Sequence, residues 1–207
     1  MKLSQKIQEM QLSPIRKFVP YADAAVAAGK KVYRLNLGQP DIKTPKAFFD
    51  TVQNFSQEVL AYANSQGEAS LLDALVAYYN RIGLDFAKKD LLVTNGGSEA
   101  INMLMTAILD NDDEVIMAEP FYTNYKTFVG QAGGKMVAIP TTAEDGYQYA
   151  VREKIEGVIT DKTKAICIIN PGNPTGKVLT QEEMKLIVDI CLEHDLYLIA
   201  DEVYREF

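Results

Sequence analysis

The 207-residue sequence has no tryptophan, one histidine and only two cysteines. Cys167 and Cys191 both sit in apolar patterns, which suits buried thiols in a reducing compartment and argues against a disulfide framework. His194 falls where a helix is expected to end, and an imidazole there more often offsets the helix dipole than it catalyses, so it stays outside the candidate site. No metal site is expected. No window approaches eighteen uninterrupted apolar residues, and the opening MKLSQKIQEM lacks the apolar core of an export signal. Neither membrane spanning nor export is therefore expected, and the expected location is cytoplasmic. Lys and Arg number 21 against 28 Asp and Glu, a net charge of -7 without any basic cluster. Binding to nucleic acid needs clustered cations against phosphate, so small molecules are the expected ligands. What remains is ordinary for a soluble globular chain: 47% hydrophobic, 24% charged, with no repeat and no biased tract.

From Lys89 onward short apolar runs alternate with longer helical stretches, the rhythm of βαβ units. Five strands are expected, at residues 91–94, 114–118, 135–139, 164–169 and 196–200, each apolar with little alternation, as parallel strands covered on both faces should be. The helix after the first strand carries Ile101, Leu104, Met105 and Ile108 at i, i+3, i+4 and i+7. A later helix begins at Thr180, which with Glu183 has capping-box spacing, and its expected buried stripe is Met184, Ile187, Val188 and Cys191. Residues 1–88 read differently, as a short arm, an extended YRLNLGQPD, and helices near 46–58 and 68–82. A boundary is expected near residue 88, dividing 1–88 from 89–207.

Ligands of parallel α/β sheets gather beyond the carboxyl ends of the strands, so what each strand releases there is informative. The first releases TNGGSEA: Gly96 and Gly97 allow close backbone approach, and Ser98 and Glu99 open a helix whose free N–H groups attract an anion. This is either a phosphate cradle or an ordinary glycine-bearing turn. The second releases AEPFYTNY, whose Phe121, Tyr122 and Tyr125 either offer a ring face to a flat ligand or fill the core. The fourth releases NPGNPTG, where two Asn-Pro pairs and two glycines make an unusually constrained loop bearing amide side chains. Asp201 follows the fifth, as a solvated residue, a structural cap or a fixed anion for a ligand cation. Phosphate site, ring face, amide donor and carboxylate together match pyridoxal 5'-phosphate, whose pyridine nitrogen needs a carboxylate partner to stay protonated.

LNLGQPD, VTNGGSEA, AEPFYTNY, NPGNPTG and ADEVYREF, in this order and spacing, closely resemble the class I/II aminotransferases, pyridoxal-phosphate enzymes of fold type I. The resemblance implies an α/β fold, the pyridoxal-phosphate transferase fold, with a mixed, mostly parallel sheet and helices on both faces. It is incomplete here, with five of seven large-domain strands. On this likeness residues 1–88 would be the N-terminal arm and part of the small domain, and 89–207 the first part of the large cofactor-binding domain. Gly97, Ser98 and Glu99 match the phosphate turn, Tyr122 the residue that stacks on the ring, and Asp201 the pyridinium partner. Asn173 and Tyr204 resemble the pair that hydrogen-bonds the phenolic oxygen, and Tyr62 the tyrosine that reaches a neighbouring subunit's phosphate. Gly38 resembles the glycine whose N–H meets the substrate carboxylate, and Ile15 belongs to an arm that closes over substrate. A homodimer acting on an amino acid and a 2-oxo acid is implied.

One departure outweighs the substitutions. In the family the Schiff-base lysine follows the DEVY segment, whereas the last lysine here is Lys185, so no residue of this chain matches that role and residues 1–207 alone are expected to be inactive. The alternative is a non-catalytic chain that binds pyridoxal phosphate or a partner. A nucleotide-binding module is a third reading, disfavoured because GGSEA has no Walker lysine and no G-x-G-x-x-G is present. The resemblance also implies cis bonds at Glu119-Pro120 and Asn173-Pro174. Its sheet order, 3-2-4-5-6-7-1, would leave residues 91–94 without a strand neighbour, dependent on helix packing alone, and the fifth strand as an open apolar edge.

Overall fold

A computed structural model describes residues 2–9, 14–36, 38, 40 and 42–207. The chain opens with α1 (Gln5–Glu9) and a 3-10 turn (Pro14–Phe18), followed by α2 (Val19–Ala27), α3 (Lys46–Gln53), α4 (Ala69–Arg81) and a second 3-10 turn (Lys88–Asp90). Then come α5 (Gly97–Ile108), β1 (Glu114–Glu119), α6 (Asn124–Gln131), β2 (Lys135–Pro140), α7 (Arg152–Glu156), β3 (Thr163–Ile169), α8 (Gln181–Glu193) and β4 (Tyr197–Asp201). Two compact units result: Phe18–Asn95, and Met1–Lys17 with Gly96–Phe207.

In the larger unit four strands form a parallel sheet in the order β2-β1-β3-β4. This is the block that the resemblance implied for the second to fifth expected strands. Because successive strand side chains point to opposite faces, the two cores can be read off β3. Ala165, Cys167 and Ile169 join Val115, Met117 and Ile199 on one face, under Met105 and Leu109 of the α5 side and Tyr125 and Val129 of α6. Ile166 and Ile168 join Ile116 and Ile139 on the other, under Ile155 of α7 and Ile187 and Ile190 of α8. Each fully buried aliphatic side chain of this kind contributes about 1.5–3 kcal/mol.

The α8 capping box forms as expected, with the Glu183 N–H donating to Thr180 Oγ1 at 3.2 Å and the Thr180 N–H donating to Glu183 Oε2 at 2.8 Å. Two stripe residues differ from expectation. Val188 is 37% exposed while Ile190 is buried in its place, and on α5 Leu104 is 38% exposed beside the buried Met105. Ile190 follows Ile187 by three residues and so shares its face, whereas Val188 lies about 100° round from Ile187 and Leu104 about 100° from Met105, at the margin of the covered face.

The smaller unit holds two further differences. The helix expected at 46–58 ends at Gln53, because Asn54 turns back on it: its N–H and its side-chain Nδ2 both donate to the Asp50 carbonyl, at 3.0 and 2.7 Å. Asn and Ser compete with the helix ladder in this way. Residues 91–94 lie outside any helix or strand, with extended dihedrals at Leu91, and join no ladder among the described residues, so four of the five expected strands are in the sheet. They do not rely on helix packing alone, however. The Val93 N–H donates to the Gln66 carbonyl at 2.9 Å, and Gln66 Nε2 donates to the carbonyls of Leu91, at 2.8 Å, and Lys88. Gly67 meets the Val93 side chain so closely that a Cβ on it, at a φ of 124°, would lie 2.6 Å from Val93 Cγ2.

Candidate functional site

The strand ends β1, β3 and β4 of the larger unit carry most of the expected site. Three X-Pro bonds there are cis: Glu119-Pro120 and Asn173-Pro174, as the resemblance implied, and Asn170-Pro171, which the sequence reading did not name. The NPGNPTG loop folds on itself. The Gly172 N–H donates to the Lys177 carbonyl and the Gly176 N–H to the Gly172 carbonyl, both at 2.8 Å. A Cβ on Gly172 would lie 2.9 Å from Thr175 Oγ1, so no larger residue fits without a shift. Asn170 fastens both ends of the loop, its N–H donating to the Asp201 carbonyl and its Oδ1 accepting from the Leu179 N–H, each at 3.0 Å. The loop thereby presents Asn173, whose Nδ2 donates to the Tyr204 hydroxyl at 3.0 Å.

Asp201 is the last residue of β4 and is half-buried. Both of its carboxylate oxygens are held: Oδ1 accepts from the Val203 N–H at 3.0 Å, and Oδ2 accepts from the Tyr125 hydroxyl at 2.6 Å. Tyr125 is fully buried, and its hydroxyl is pushed well above the usual tyrosine range, chiefly by burial, with Cys167 and the Asp201 charge adding to it. It therefore remains a donor at any ordinary pH. Burial, and after it the Asp201 charge, pushes the Cys167 thiol up to about 12. Reading the sequence placed Tyr125 among rings that stack or fill the core, and missed its hydroxyl. Nothing local signals a hydrogen bond to a carboxylate 76 residues away.

Tyr122 packs against the same core and lies edge-on to Tyr125, with ring centroids 6.5 Å apart, while its hydroxyl accepts from Asn124 Nδ2 at 2.6 Å. Gly96, at φ 83°, caps α5, and Gly97, Ser98 and Glu99 form its exposed first turn. A Cβ built on Gly96 or Gly97 meets nothing within 4 Å, so the approach to the helix N-terminus is open. Leu109 and Met105 anchor the other end of α5 in the core that holds Tyr125 and Ile199, which fixes the turn relative to Asp201.

A cleft beyond the strand ends is lined by Pro120, Phe121, Tyr147, Cys167, Asn173 and Lys177, among others. Its lysine is occupied: Lys177 Nζ lies 3.0 Å from Glu183 Oε1, which also accepts from Gln148 Nε2 at 2.7 Å. Burial pushes the Glu183 carboxyl up, but the Thr180 N–H, Gln148 and Lys177 together hold it below the usual range. Lys185 is bound to Asp189 on the α8 surface at 2.7 Å.

The other three candidates lie elsewhere. Gly38 and Tyr62 belong to the smaller unit, Gly38 exposed outside any helix or strand and Tyr62 with its ring fully exposed. The Ile15 backbone lies in the Pro14–Phe18 turn, and its side chain is outside the described residues. His194 falls on the surface near Glu156 and Glu193, which Arg152 bridges at 2.6 and 2.7 Å.

Residues 30–207 match the family model described as aminotransferase class I and II. The aspartate aminotransferase of Bacillus subtilis (strain 168) is 33% identical over 208 residues, covering 100% of this chain and 53% of that protein. Among solved structures, a single mutant of the Thermus thermophilus aspartate aminotransferase superposes with a TM-score of 0.89 at 33% identity, over 98% of this chain and 53% of that one. An alanine aminotransferase from Pyrococcus furiosus does so with 0.89 at 32%, over 98% and 52%. The chain thus spans about half the length of the relatives it matches. With a matching family model over most of its length and the same fold in solved relatives, the chain belongs to the class I and II aminotransferases.

Proposed function

We propose that this chain is the N-terminal part of a pyridoxal-phosphate-dependent aminotransferase that moves an amino group from an amino acid to a 2-oxo acid, working in the cytoplasm as a homodimer. The observation that carries the reading is Asp201, a carboxylate held on both oxygens at the end of β4, three residues before Tyr204, whose hydroxyl accepts from Asn173. The residues present fit the cofactor. Asp201 would face its ring nitrogen, Asn173 and Tyr204 its phenolic oxygen, Tyr122 one ring face, and the N–H groups from Gly97 to Glu99 its phosphate. When bound, the cofactor supplies an electron sink for carbon acids next to nitrogen.

The protein's own part is to orient and to hold charge. Tyr125 keeps its own proton and donates it in a hydrogen bond to Asp201 Oδ2, which orients the carboxylate. Tyr62 would reach the phosphate of the neighbouring subunit, and Gly38 and Ile15 would meet substrate. The lysine that lines the cleft, Lys177, is tied to Glu183 and is not free to act as a proton shuttle. The polypeptide of residues 1–207 would therefore bind cofactor without turning over.

The test is transfer of label. Full-length protein with pyridoxal phosphate, 2-oxoglutarate and 15N-labelled aspartate, alanine or phenylalanine should yield 15N-glutamate from at least one donor. No transfer from any amino acid donor would sink the reading.

A further inference from the structure

The segment leading to the phosphate turn starts in extended conformation at Leu91, yet it has no strand neighbour among the described residues. One side chain takes that neighbour's place. Both N–H bonds of the Gln66 side-chain amide are used, on the carbonyls of Lys88 and Leu91, while the Gln66 main-chain carbonyl accepts the Val93 N–H. Gln66 is fixed in turn by Asn64, whose Oδ1 accepts the Gln66 N–H at 3.0 Å and whose carbonyl accepts the Gly67 N–H at 2.9 Å. Gly67 then presses on Val93 without room for a Cβ. Val93 lies four residues before Gly97, and Tyr62 lies four residues before Gln66.

We propose that Gln66 is a positioning residue for cofactor phosphate: its amide locks the Tyr62 loop to the segment that delivers the phosphate turn, so its loss weakens recognition of phosphate and not of the ring. This rests on the cofactor reading above. The chemistry follows from saturation of the amide. A residue of equal length without donors takes the side-chain donor from the Leu91 carbonyl and leaves the Lys88 carbonyl with the Leu91 N–H alone, and a carboxylate would face both carbonyls with like polarity. Either change removes the side-chain hold on Lys88 and Leu91 and leaves the segment tied to the loop by the Val93 N–H alone, and four residues of chain transmit the resulting shift to the helix N-terminus that would hold the anion. The same release loosens the start of the Tyr62 loop.

The test compares two ligands that differ only in phosphate. In the full-length protein, dissociation constants for pyridoxal phosphate and for pyridoxal are measured with wild type, Gln66→Met and Gln66→Glu. Both variants should lose about tenfold in affinity for pyridoxal phosphate, the scale of one or two hydrogen bonds, with pyridoxal changed less than about twofold. Equal weakening of both ligands would make Gln66 a general structural residue and overturn the proposal, as would no change in either. Failure of both variants to fold counts the same way. A wild type that binds pyridoxal phosphate no better than pyridoxal removes the cofactor reading itself, a result distinct from the others because it needs no variant.

Discussion

Tyr125 is buried for its ring and placed for its hydroxyl, and the two roles separate in one substitution. Tyr125→Phe keeps the packing against Tyr122 and Phe128 but removes the donor to Asp201. Hydrogen bonds to charged groups contribute about 1.5–3 kcal/mol, and water can partly replace this one at a half-buried carboxylate, so a loss near about 1.5 kcal/mol is expected in urea unfolding. A loss below about 0.5 kcal/mol would mean that the bond does not hold Asp201. Cysteine chemistry offers a second test at this scale. Burial pushes Cys167 up to about 12 and Cys191 up to about 11, from an ordinary value of 9.0. Folding thus favours the protonated thiols, and the stability this gives is complete below about 9 and declines as pH rises toward 11 and 12. The urea midpoint should fall between pH 8 and pH 10, and fall less in a Cys167→Ala, Cys191→Ala double variant. In the folded protein neither thiol should react with an aromatic disulfide reagent at pH 8.

Among the elements, those with strong local signals are legible in the sequence. The Thr180–Glu183 capping box, the four buried strands and the glycine turn before α5 all rest on short-range chemistry, and each stands where the pattern put it. Strand order and two of the three cis prolines came through resemblance. The Tyr125–Asp201 bond and the Gln66 staple were not legible, because each joins residues far apart in sequence and turns on side-chain donors that periodicity does not encode. Residues 91–94 show the limit from the other side: the apolar run reads as a strand, but a strand also needs a ladder partner. Two outcomes belong here. Gly67→Ala should cost about 2–3 kcal/mol, from a positive φ and the clash with Val93, and urea unfolding measures it. By hydrogen exchange the Val93 amide, held by one loop carbonyl, should exchange far faster than that of Ile168 in the middle of the sheet. Equal protection would show that residues 91–94 have a ladder partner after all.

At the scale of the whole molecule, β4 pairs only with β3 among the described residues and leaves its other side open. Tyr197 is 60% exposed there and Val203 is 65% exposed just beyond it, with no proline or lysine on the strand to discourage pairing. The polypeptide of residues 1–207 should therefore associate with rising concentration, and Tyr197→Lys should reduce this in sedimentation. A strict monomer would contradict that expectation. The central claim is narrower, that Asp201 and the α5 turn together form a pyridoxal-phosphate site. Equilibrium titration of the full-length protein with the cofactor, followed by visible circular dichroism, tests it most directly. Wild type should bind with an induced band, while Asp201→Ala should weaken binding and change that band, and Ser98→Ala should weaken binding with the band intact. Equal affinity and identical spectra for wild type and Asp201→Ala would contradict the account.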